Sequence, residues 1–157
     1  MSALNVGGQT VHSFFSLGID NVFPEEIKPY LIDKKNKKYK LKKSKIQTLL
    51  NVPFIIIDEI GMVNANTIDC INLLMRYYLA KERGDESLMK QPFGGKQMIF
   101  VGDVFQLPPV STQERKYKFG YTYESERFFD SKTFKTGLTY TTIELKKNYR
   151  QGEDTYF

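Results

Sequence analysis

The sequence has little cysteine and histidine, the residues that form disulfides and most zinc sites. Its 157 residues include one cysteine, Cys70, and one histidine, His12. A single cysteine excludes an internal disulfide framework, and this Cys/His set argues against a zinc site. No apolar run approaches the roughly 20 residues that cross a bilayer, and residues 1–10 lack the pattern of a secretory signal. We therefore expect an intracellular protein without a membrane partner.

Positive charge is concentrated in one part of the chain. Residues 34–45 hold eight lysines, whereas the rest of the chain has 15 Lys and Arg against 18 Asp and Glu. The net charge of +5 therefore describes a mildly acidic protein that carries one basic segment. Such a segment can attract phosphate backbones. A solvated, mobile loop in a lysine-rich proteome is the simpler explanation.

Hydrophobic patterning predicts an α/β domain with a mainly parallel β-sheet. Two short apolar runs without alternation, 54–57 and 98–101, suit central parallel strands that are covered on both faces. Between them, apolar residues recur at spacings of three and four, which predicts a long helix with one buried face. Asn64 or Asn66 can cap this helix, and Gly84 can end it. The order strand, helix, strand favours this fold class.

The remaining predicted elements are short. Prolines at 24 and 29 interrupt the stretch before the lysine segment. We predict a strand at 2–6, a short helix or loop at 9–16, a short and broken helix within 18–33, a helix end at 46–50, loops at 84–96 and 111–127, a short helix at 128–134 and a third strand at 141–145.

Carboxylates follow both of the central predicted strands. Asp58 and Glu59 come directly after the first strand, and Asp103 comes shortly after the second. Ligands bind at the carboxyl ends of strands in open α/β sheets, and two neighbouring ionised groups there are costly without a cation. Asp58 suits a Mg²⁺ ion, Glu59 suits an attacking water, and Asp103 can support the metal or Gln106. An ordinary loop after a strand explains the same acids, so both interpretations stay open.

Three further groups suit a phosphate or nucleic-acid ligand. Gln106 has both donor and acceptor atoms for a terminal phosphate or the attacking water. Arg150 follows a predicted strand and can bind a phosphate in bidentate fashion. Residues 9–14 combine small hydroxyl and amide groups with an aromatic ring that can stack on a base. For His12 and Phe14, burial in the core is the simpler alternative.

In this order, the segments resemble the Pif-type DNA helicases of the RecD-like branch of helicase superfamily one. The matching stretches are ALNVGGQTVHSFF at 3–15, IDEIGMV at 57–63, PFGGKQ at 92–97, VGDVFQLPPV at 101–110 and ELKKNYRQ at 144–151. The likeness spans nearly the whole chain, apart from the lysine segment and residues 111–127, and the GD-x-x-QLPPV stretch is highly specific.

The resemblance implies a RecA-like P-loop NTPase fold and an ATP-driven motor that moves 5′ to 3′ on single-stranded DNA and unwinds duplexes. It gives Asp58 and Glu59 the Walker B roles of holding magnesium and activating water, with ATP and Mg²⁺ as cofactors. It also implies that Gln106 links the γ-phosphate to DNA contacts and that Arg150 stabilises charge on the γ-phosphate. The residues that match the family's single-strand-binding segment are Gln9, Thr10, His12, Ser13 and Phe14.

The chain also departs from the family pattern. Gly61 stands where the family usually has serine, and no G-x-x-x-x-G-K-[ST] phosphate loop is present. The nearest stretch, 94–97, has the wrong spacing and ends in glutamine. We therefore expect residues 1–157 to be part of a first RecA-like domain, incomplete at its N-terminal end, whose missing partners are the phosphate loop and a second motor domain.

The isolated chain is expected to be inactive, and a non-catalytic remnant that binds single-stranded nucleic acid is the alternative. The resemblance implies single-stranded DNA and duplex junctions as partners, and DNA repair and recombination as processes. It implies the nucleus or mitochondrion in a eukaryote and the cytoplasm in a bacterium. A purely structural domain would leave the coincidence of the acid pair, Gln106 and Arg150 unexplained.

Overall fold

Helices pack on one face of a small parallel sheet in the computed structural model, which describes residues 7–18, 22–33, 35, 38–105, 109 and 119–146. The helices are α1 (Val11–Phe15), α2 (Pro24–Ile32), α3 (Lys43–Asn51), α4 (Ala65–Arg83) and α5 (Lys132–Lys135), and the strands are β1 (Phe54–Ile57) and β2 (Gln97–Phe100). Short 3-10 helices occupy Ile60–Met62, Glu86–Lys90, Pro92–Gly95 and Phe128–Asp130. In these described residues, no helix is long and apolar enough to cross a bilayer.

The two strands confirm the prediction of a parallel sheet. β1 pairs with β2 from Phe54 opposite Gln97 to Ile57 opposite Phe100. Ile57 is buried at 3% exposure, whereas Phe54 and Ile56 on the opposite face are 46% and 56% exposed. The expectation that both faces are covered is therefore wrong for the described residues, because the helices they contain bury only the face that carries Ile57.

The longest helix, α4, forms the centre of the core. Asn64 is its N-cap and Gly84 its left-handed C-cap, which confirms the predicted boundaries. Ile68, Ile71 and Met75 are completely buried, as their spacing of three and four predicts. The same hydrophobic cluster includes buried residues of α1, α2, α3 and β1, so these elements pack around α4.

A buried carboxylate connects α4 to the last described segment. Asp69 is only 6% exposed and accepts a hydrogen bond from the Tyr123 hydroxyl at 2.9 Å. It also accepts from the backbone N–H groups of Lys132 (3.1 Å) and Thr133 (2.8 Å) and from the Thr133 hydroxyl (2.6 Å). These donors replace the water that a buried carboxylate loses. Burial, together with the charge of Asp69, raises the pKa of Tyr123, so its phenol remains a donor.

Two of the short helices differ from their predicted form. α2 is a continuous helix of nine residues despite the internal Pro29. Pro24 supplies a helical φ in its first turn, and the Glu26 carboxylate accepts from the N–H of Phe23 at 2.8 Å, which stabilises the start of the helix. The predicted helix at 128–134 is divided at Ser131, whose hydroxyl accepts from the N–H of Phe134 and caps α5.

The structure also differs from the prediction at one loop and at the third strand. The predicted loop at 84–96 contains two 3-10 helices. Residues 141–145 are exposed and do not form the predicted strand. Alternation alone does not make a strand, because the backbone N–H and C=O groups also need a neighbouring strand. The helix at 9–16 and the helix end at 46–50 are confirmed as α1 and α3. The predicted strand at 2–6 and residues 111–118 lie outside the described residues.

Candidate functional site

The acid-bearing turns lie side by side at the carboxyl edge of the sheet. Because β1 and β2 are parallel and in register, Asp58 and Asp103 follow the ends of neighbouring strands. Backbone pairing continues beyond the strands: the N–H of Val101 donates to the Ile57 carbonyl, and the N–H of Ile60 donates to the Val101 carbonyl, each at 2.9 Å. These two hydrogen bonds hold the turn after β1 against the turn after β2.

Two glycines allow the two turns to approach so closely. A Cβ atom on Gly102 would lie 2.8 Å from the backbone nitrogen of Ile60, and one on Gly61 would lie 2.6 Å from the Asp103 carbonyl oxygen. Either side chain would therefore force a backbone to move. The departure from the usual serine at Gly61 thus has a steric consequence, since a serine Cβ would displace the Asp103 carbonyl from this arrangement.

The acid pair is oriented by an unusual backbone conformation. Glu59 lies in the left-handed region (φ 53°, ψ 42°), which is uncommon for residues other than glycine and recurs at functional sites. Its N–H donates to Oδ1 of Asp58 at 2.9 Å, which stabilises the turn. Both side chains are exposed. The pair is therefore accessible to a ligand at the edge of the sheet where nucleotides bind in this fold class.

The donor set suits a magnesium ion that a nucleotide helps to hold. The described part of the chain contains no group of three or more His, Cys, Asp or Glu residues placed to share a metal ion. Mg²⁺ commonly takes one or two carboxylates and completes its shell with water and substrate phosphates. The exposed carboxylates of Asp58 and Glu59 fit a site of this kind, in which the protein supplies only one or two of the ligands.

The turn after β2 is stabilised by contacts that the sequence did not reveal. Oδ1 of Asp103 accepts from the N–H of Phe105 at 2.8 Å. The guanidinium of Arg127 donates to the Val104 carbonyl at 2.8 Å, which brings a cation to this edge. Arg127 was missed because the polar stretch that contains it has no motif. Gln106 and Arg150, which were predicted to join this site, lie outside the described residues, so their positions stay predictions.

The predicted nucleic-acid-binding segment, residues 9–14, includes the N-cap and most of α1. The Thr10 hydroxyl caps this helix by accepting from the N–H of Ser13 at 3.2 Å. Gln9, Thr10, His12 and Ser13 are exposed, whereas Phe15, next along the chain after Phe14, is buried at 3% exposure. The segment therefore presents polar side chains to solvent while Phe15 packs in the core.

The two aromatic side chains of this segment that were predicted to contact nucleic acid are accessible to different degrees. Phe14 is half-buried, so part of its ring is accessible for stacking. His12 is exposed and is therefore not a core histidine. Surrounding protein atoms still desolvate its ring enough to lower its pKa, which favours the neutral imidazole near pH 7.

The lysine segment contacts this same surface. The ammonium group of Lys45 donates to the Ser13 carbonyl and lies 5.9 Å from the centroid of the Phe14 ring. Lys40 donates to the Asp33 carbonyl at 2.7 Å. The solvated-loop interpretation is therefore incomplete, since part of the segment packs against the folded protein and its end begins α3.

The stretch at 94–97, which is the most similar to a phosphate loop in sequence, has a structural role. A Cβ atom on Gly94 would lie 2.9 Å from the Leu79 side chain, so close packing against α4 requires a glycine there. The ammonium of Lys96 donates to the Val52 carbonyl at 2.7 Å, at the end of α3. Both residues precede β2, so they lie at the opposite edge of the sheet from the acid pair.

Comparison with known sequences gives one family. The family model of PIF1-like helicases matches residues 1–156. The ATP-dependent DNA helicase PIF1 of Saccharomyces cerevisiae is 35% identical over 158 residues, which cover 100% of this chain and 16% of that protein. The ATP-dependent DNA helicase Pif1 of Campylobacter jejuni is 33% identical, covering 96% of this chain and 29% of that protein. The chain thus spans less than a third of the length of these relatives.

Solved structures agree with the sequence comparison. A crystal structure of Pif1 helicase from Bacteroides in complex with ADP-AlF3 and ssDNA matches 97% of this chain and 31% of that chain, with a TM-score of 0.77 and 32% identity. A structure of two coordinating Pif1 helicases at forked dsDNA matches 86% of this chain and 29% of that chain, with a TM-score of 0.67. The predicted fold class is thereby confirmed, and the chain belongs to the PIF1-like helicase family.

Proposed function

We propose that this chain is part of an ATP-dependent DNA helicase that couples ATP hydrolysis to 5′-to-3′ translocation on single-stranded DNA and to duplex unwinding. The observation that carries the proposal is the exposed acid pair, Asp58 and Glu59, at the carboxyl end of β1. Relatives named ATP-dependent DNA helicases support it.

In this proposal the two acids divide the chemistry of hydrolysis. Glu59 orients the attacking water and accepts its proton, and Asp58 is the residue that would hold a magnesium ion. Mg²⁺, when bound, neutralises charge on the phosphate oxygens. Gln106 and Arg150 keep the roles that the resemblance implies, at the γ-phosphate. The left-handed backbone at Glu59 supports its assignment, because such strain is commonly retained where it orients a functional group.

Contact with single-stranded DNA is assigned to residues 9–14. Their exposed hydroxyl, amide and imidazole groups suit phosphate and sugar contacts, and the accessible part of the Phe14 ring suits base stacking. The relative solved with ssDNA and the relatives solved at forked dsDNA support DNA as the substrate. This function places the protein with cellular DNA, in the nucleus or mitochondrion of a eukaryote or the cytoplasm of a bacterium.

A chimaera tests the proposal directly. Residues 1–157 would replace the matching segment of the Bacteroides Pif1 helicase, which supplies a phosphate loop and a second motor domain. We expect ATP hydrolysis that depends on single-stranded DNA, and unwinding of a duplex with a 5′ tail in preference to one with a 3′ tail. A chimaera that melts cooperatively and binds DNA but does not hydrolyse ATP would contradict the proposal.

The 157-residue chain by itself is proposed to be inactive as a motor, because its sequence contains no phosphate loop. We expect no ATP turnover above background when it is mixed with single-stranded DNA, and robust turnover would contradict this. A non-catalytic protein that binds single-stranded nucleic acid is the second candidate. The contact of Lys45 with Ser13 favours it, because it adds a positive charge to the segment proposed to bind the strand. DNA binding by the chain combined with an inactive, folded chimaera would select this candidate.

A further inference from the structure

The lysine segment is a prominent feature that the proposed function leaves without a role. Lys42 and Lys43 are exposed, and Lys45 is half-buried. Lys42 is the N-cap of α3, and Lys43 and Lys45 lie in its first turn, which contains no acidic residue. Within the described ranges, neither Lys42 nor Lys43 forms an ion pair. Three lysines therefore lie at the start of one helix whose first turn has no acidic residue to neutralise them.

Lys45 places one of these charges directly against the proposed DNA-binding segment. Its ammonium group donates to the Ser13 carbonyl and lies 5.9 Å from the Phe14 ring centroid. An ammonium group has three N–H donors, so the contact with Ser13 leaves two for a ligand. A phosphate bound there would lie beside the ring on which a base is proposed to stack.

Helix capping is the competing explanation for Lys45. The Ser13 carbonyl belongs to the last turn of α1, and lysine side chains often bind carbonyls at helix ends. Capping accounts for Lys45 alone, however, and gives no reason for the exposed Lys42 and Lys43 beside it. Desolvation and, second to it, the neighbouring positive charge of Lys42 lower the pKa of Lys45. A bound anion would relieve this repulsion.

We propose that Lys42, Lys43 and Lys45 extend the DNA-binding surface of α1, so that phosphates of a single strand whose base stacks on Phe14 lie along these ammonium groups. The inference rests on the proposed function, which it deepens by giving the lysine segment a place in DNA binding. Cationic side chains near an aromatic ring on which bases stack are the combination that binds single strands without sequence preference.

The expected size of the effect follows from counterion release. Each phosphate contact with a single strand contributes about 0.7 to the slope of log affinity against log salt concentration. Between 1 M and 0.1 M salt, one contact therefore corresponds to about a 5-fold change in affinity, and three contacts to about a 100-fold change.

The test measures binding of the full 157-residue chain to a fluorescent oligothymidylate by anisotropy at several salt concentrations. We expect Lys45→Met to lower the salt slope by about 0.7 and the affinity at 0.1 M salt by about 5-fold. The triple variant Lys42→Gln/Lys43→Gln/Lys45→Met is expected to lower the slope by about 2. Lys45→Arg should restore parental binding. Lys90→Gln is the matched control, since Lys90 is exposed and lies in a different element.

The possible results separate this inference from the proposed function. If the parent chain binds but the triple variant keeps the parental slope, the inference is overturned and the proposed function stands. Affinity loss without a change in slope also overturns it, because that pattern indicates a structural role through Ser13. Equal losses in the triple and Lys90 variants overturn it as well. No binding by the parent chain overturns the inference and also the DNA contacts assigned to residues 9–14.

Folding is controlled by a second variant. If Lys45→Met does not melt cooperatively, the double variant Lys42→Gln/Lys43→Gln decides, because no described intramolecular contact of these two side chains is lost. We expect that variant to lower the slope by about 1.4, and an unchanged slope overturns the inference.

Discussion

Replacing the buried carboxylate of Asp69 by alanine should be among the most destabilising single changes in the described core. The substitution leaves four donors without their acceptor: the Tyr123 hydroxyl, the backbone N–H groups of Lys132 and Thr133, and the Thr133 hydroxyl. A hydrogen bond to a charged group is worth about 1.5–3 kcal/mol. The four do not add fully, since two donors belong to one residue and water can enter the vacated space.

We therefore expect Asp69→Ala to lower the free energy of unfolding by about 3–5 kcal/mol. Asp85→Ala is the matched control, because Asp85 also caps a short helix, accepting from the N–H of Ser87 at 2.9 Å, but is exposed. Loss of this exposed cap should cost much less, because water can replace the carboxylate as acceptor of the Ser87 N–H.

Urea unfolding followed by circular dichroism measures both changes. With a slope of about 2 kcal/mol per molar urea, the midpoint should fall by about 2 M for Asp69→Ala and by less than about 0.5 M for Asp85→Ala. Equal shifts for the two variants would refute the reasoning, because they would show that the buried network contributes no more than an exposed cap.

Three further predictions concern the acid-bearing turns, the single histidine and the single cysteine. Gly102→Ala should destabilise the protein by about 1–3 kcal/mol through its contact with the Ile60 backbone, and Gly120→Ala, which meets nothing within 4 Å, should change the urea midpoint little. Desolvation lowers the pKa of His12, so the unfolded state binds the proton first as the pH falls through 6.5, and stability should decrease there. His12→Gln should remove this decrease between pH 7 and 5.5 in urea titrations, and an unchanged profile would contradict it. Cys70 is 1% exposed, its thiol donates to the Val22 carbonyl, and burial raises its pKa, so a maleimide should label it only in urea; rapid labelling of the native protein would contradict this.

Local patterns in the sequence were sufficient to predict the long helix and the acid-bearing strand ends. The boundaries of α4 follow from apolar spacing and from the capping residues Asn64 and Gly84. The positions of Asp58 and Glu59 follow from a short apolar run that ends at a polar pair. Each of these two signals is formed by residues that are only a few positions apart along the chain, which is why the sequence alone reveals it.

Features that depend on contacts distant in sequence could not be predicted. The apolar run at β1 does not show what covers each face, so the exposure of Phe54 and Ile56 was unexpected. Asp69 lies on a helix that looked amphipathic, and its donors are 54 to 64 residues away along the chain. Lys45 meets Ser13 across 32 residues. Such pairings are decided by how the elements pack, and a lysine-rich stretch read alone resembles a solvated loop.

The family resemblance supplied the functional interpretation that the residues alone left open. An acid pair after a strand fits a loop as well as a metal site, and the specific run from Gly102 to Val110 favours the metal site through the family resemblance. The structure adds the geometry, because it places the end of β1 against the end of β2 and shows the carboxylates of Asp58 and Glu59 at the exposed edge.

ATP hydrolysis by the chimaeric helicase carrying Glu59→Gln tests the central claim most directly. The variant keeps the size of the side chain and removes the base, so we expect the rate to fall by about 100-fold to 10,000-fold while binding to single-stranded DNA is unchanged. Glu82→Gln, at an exposed glutamate of α4, should hydrolyse ATP at the parental rate. Parental hydrolysis by the Glu59→Gln variant would contradict the assignment of the acid pair to nucleotide hydrolysis.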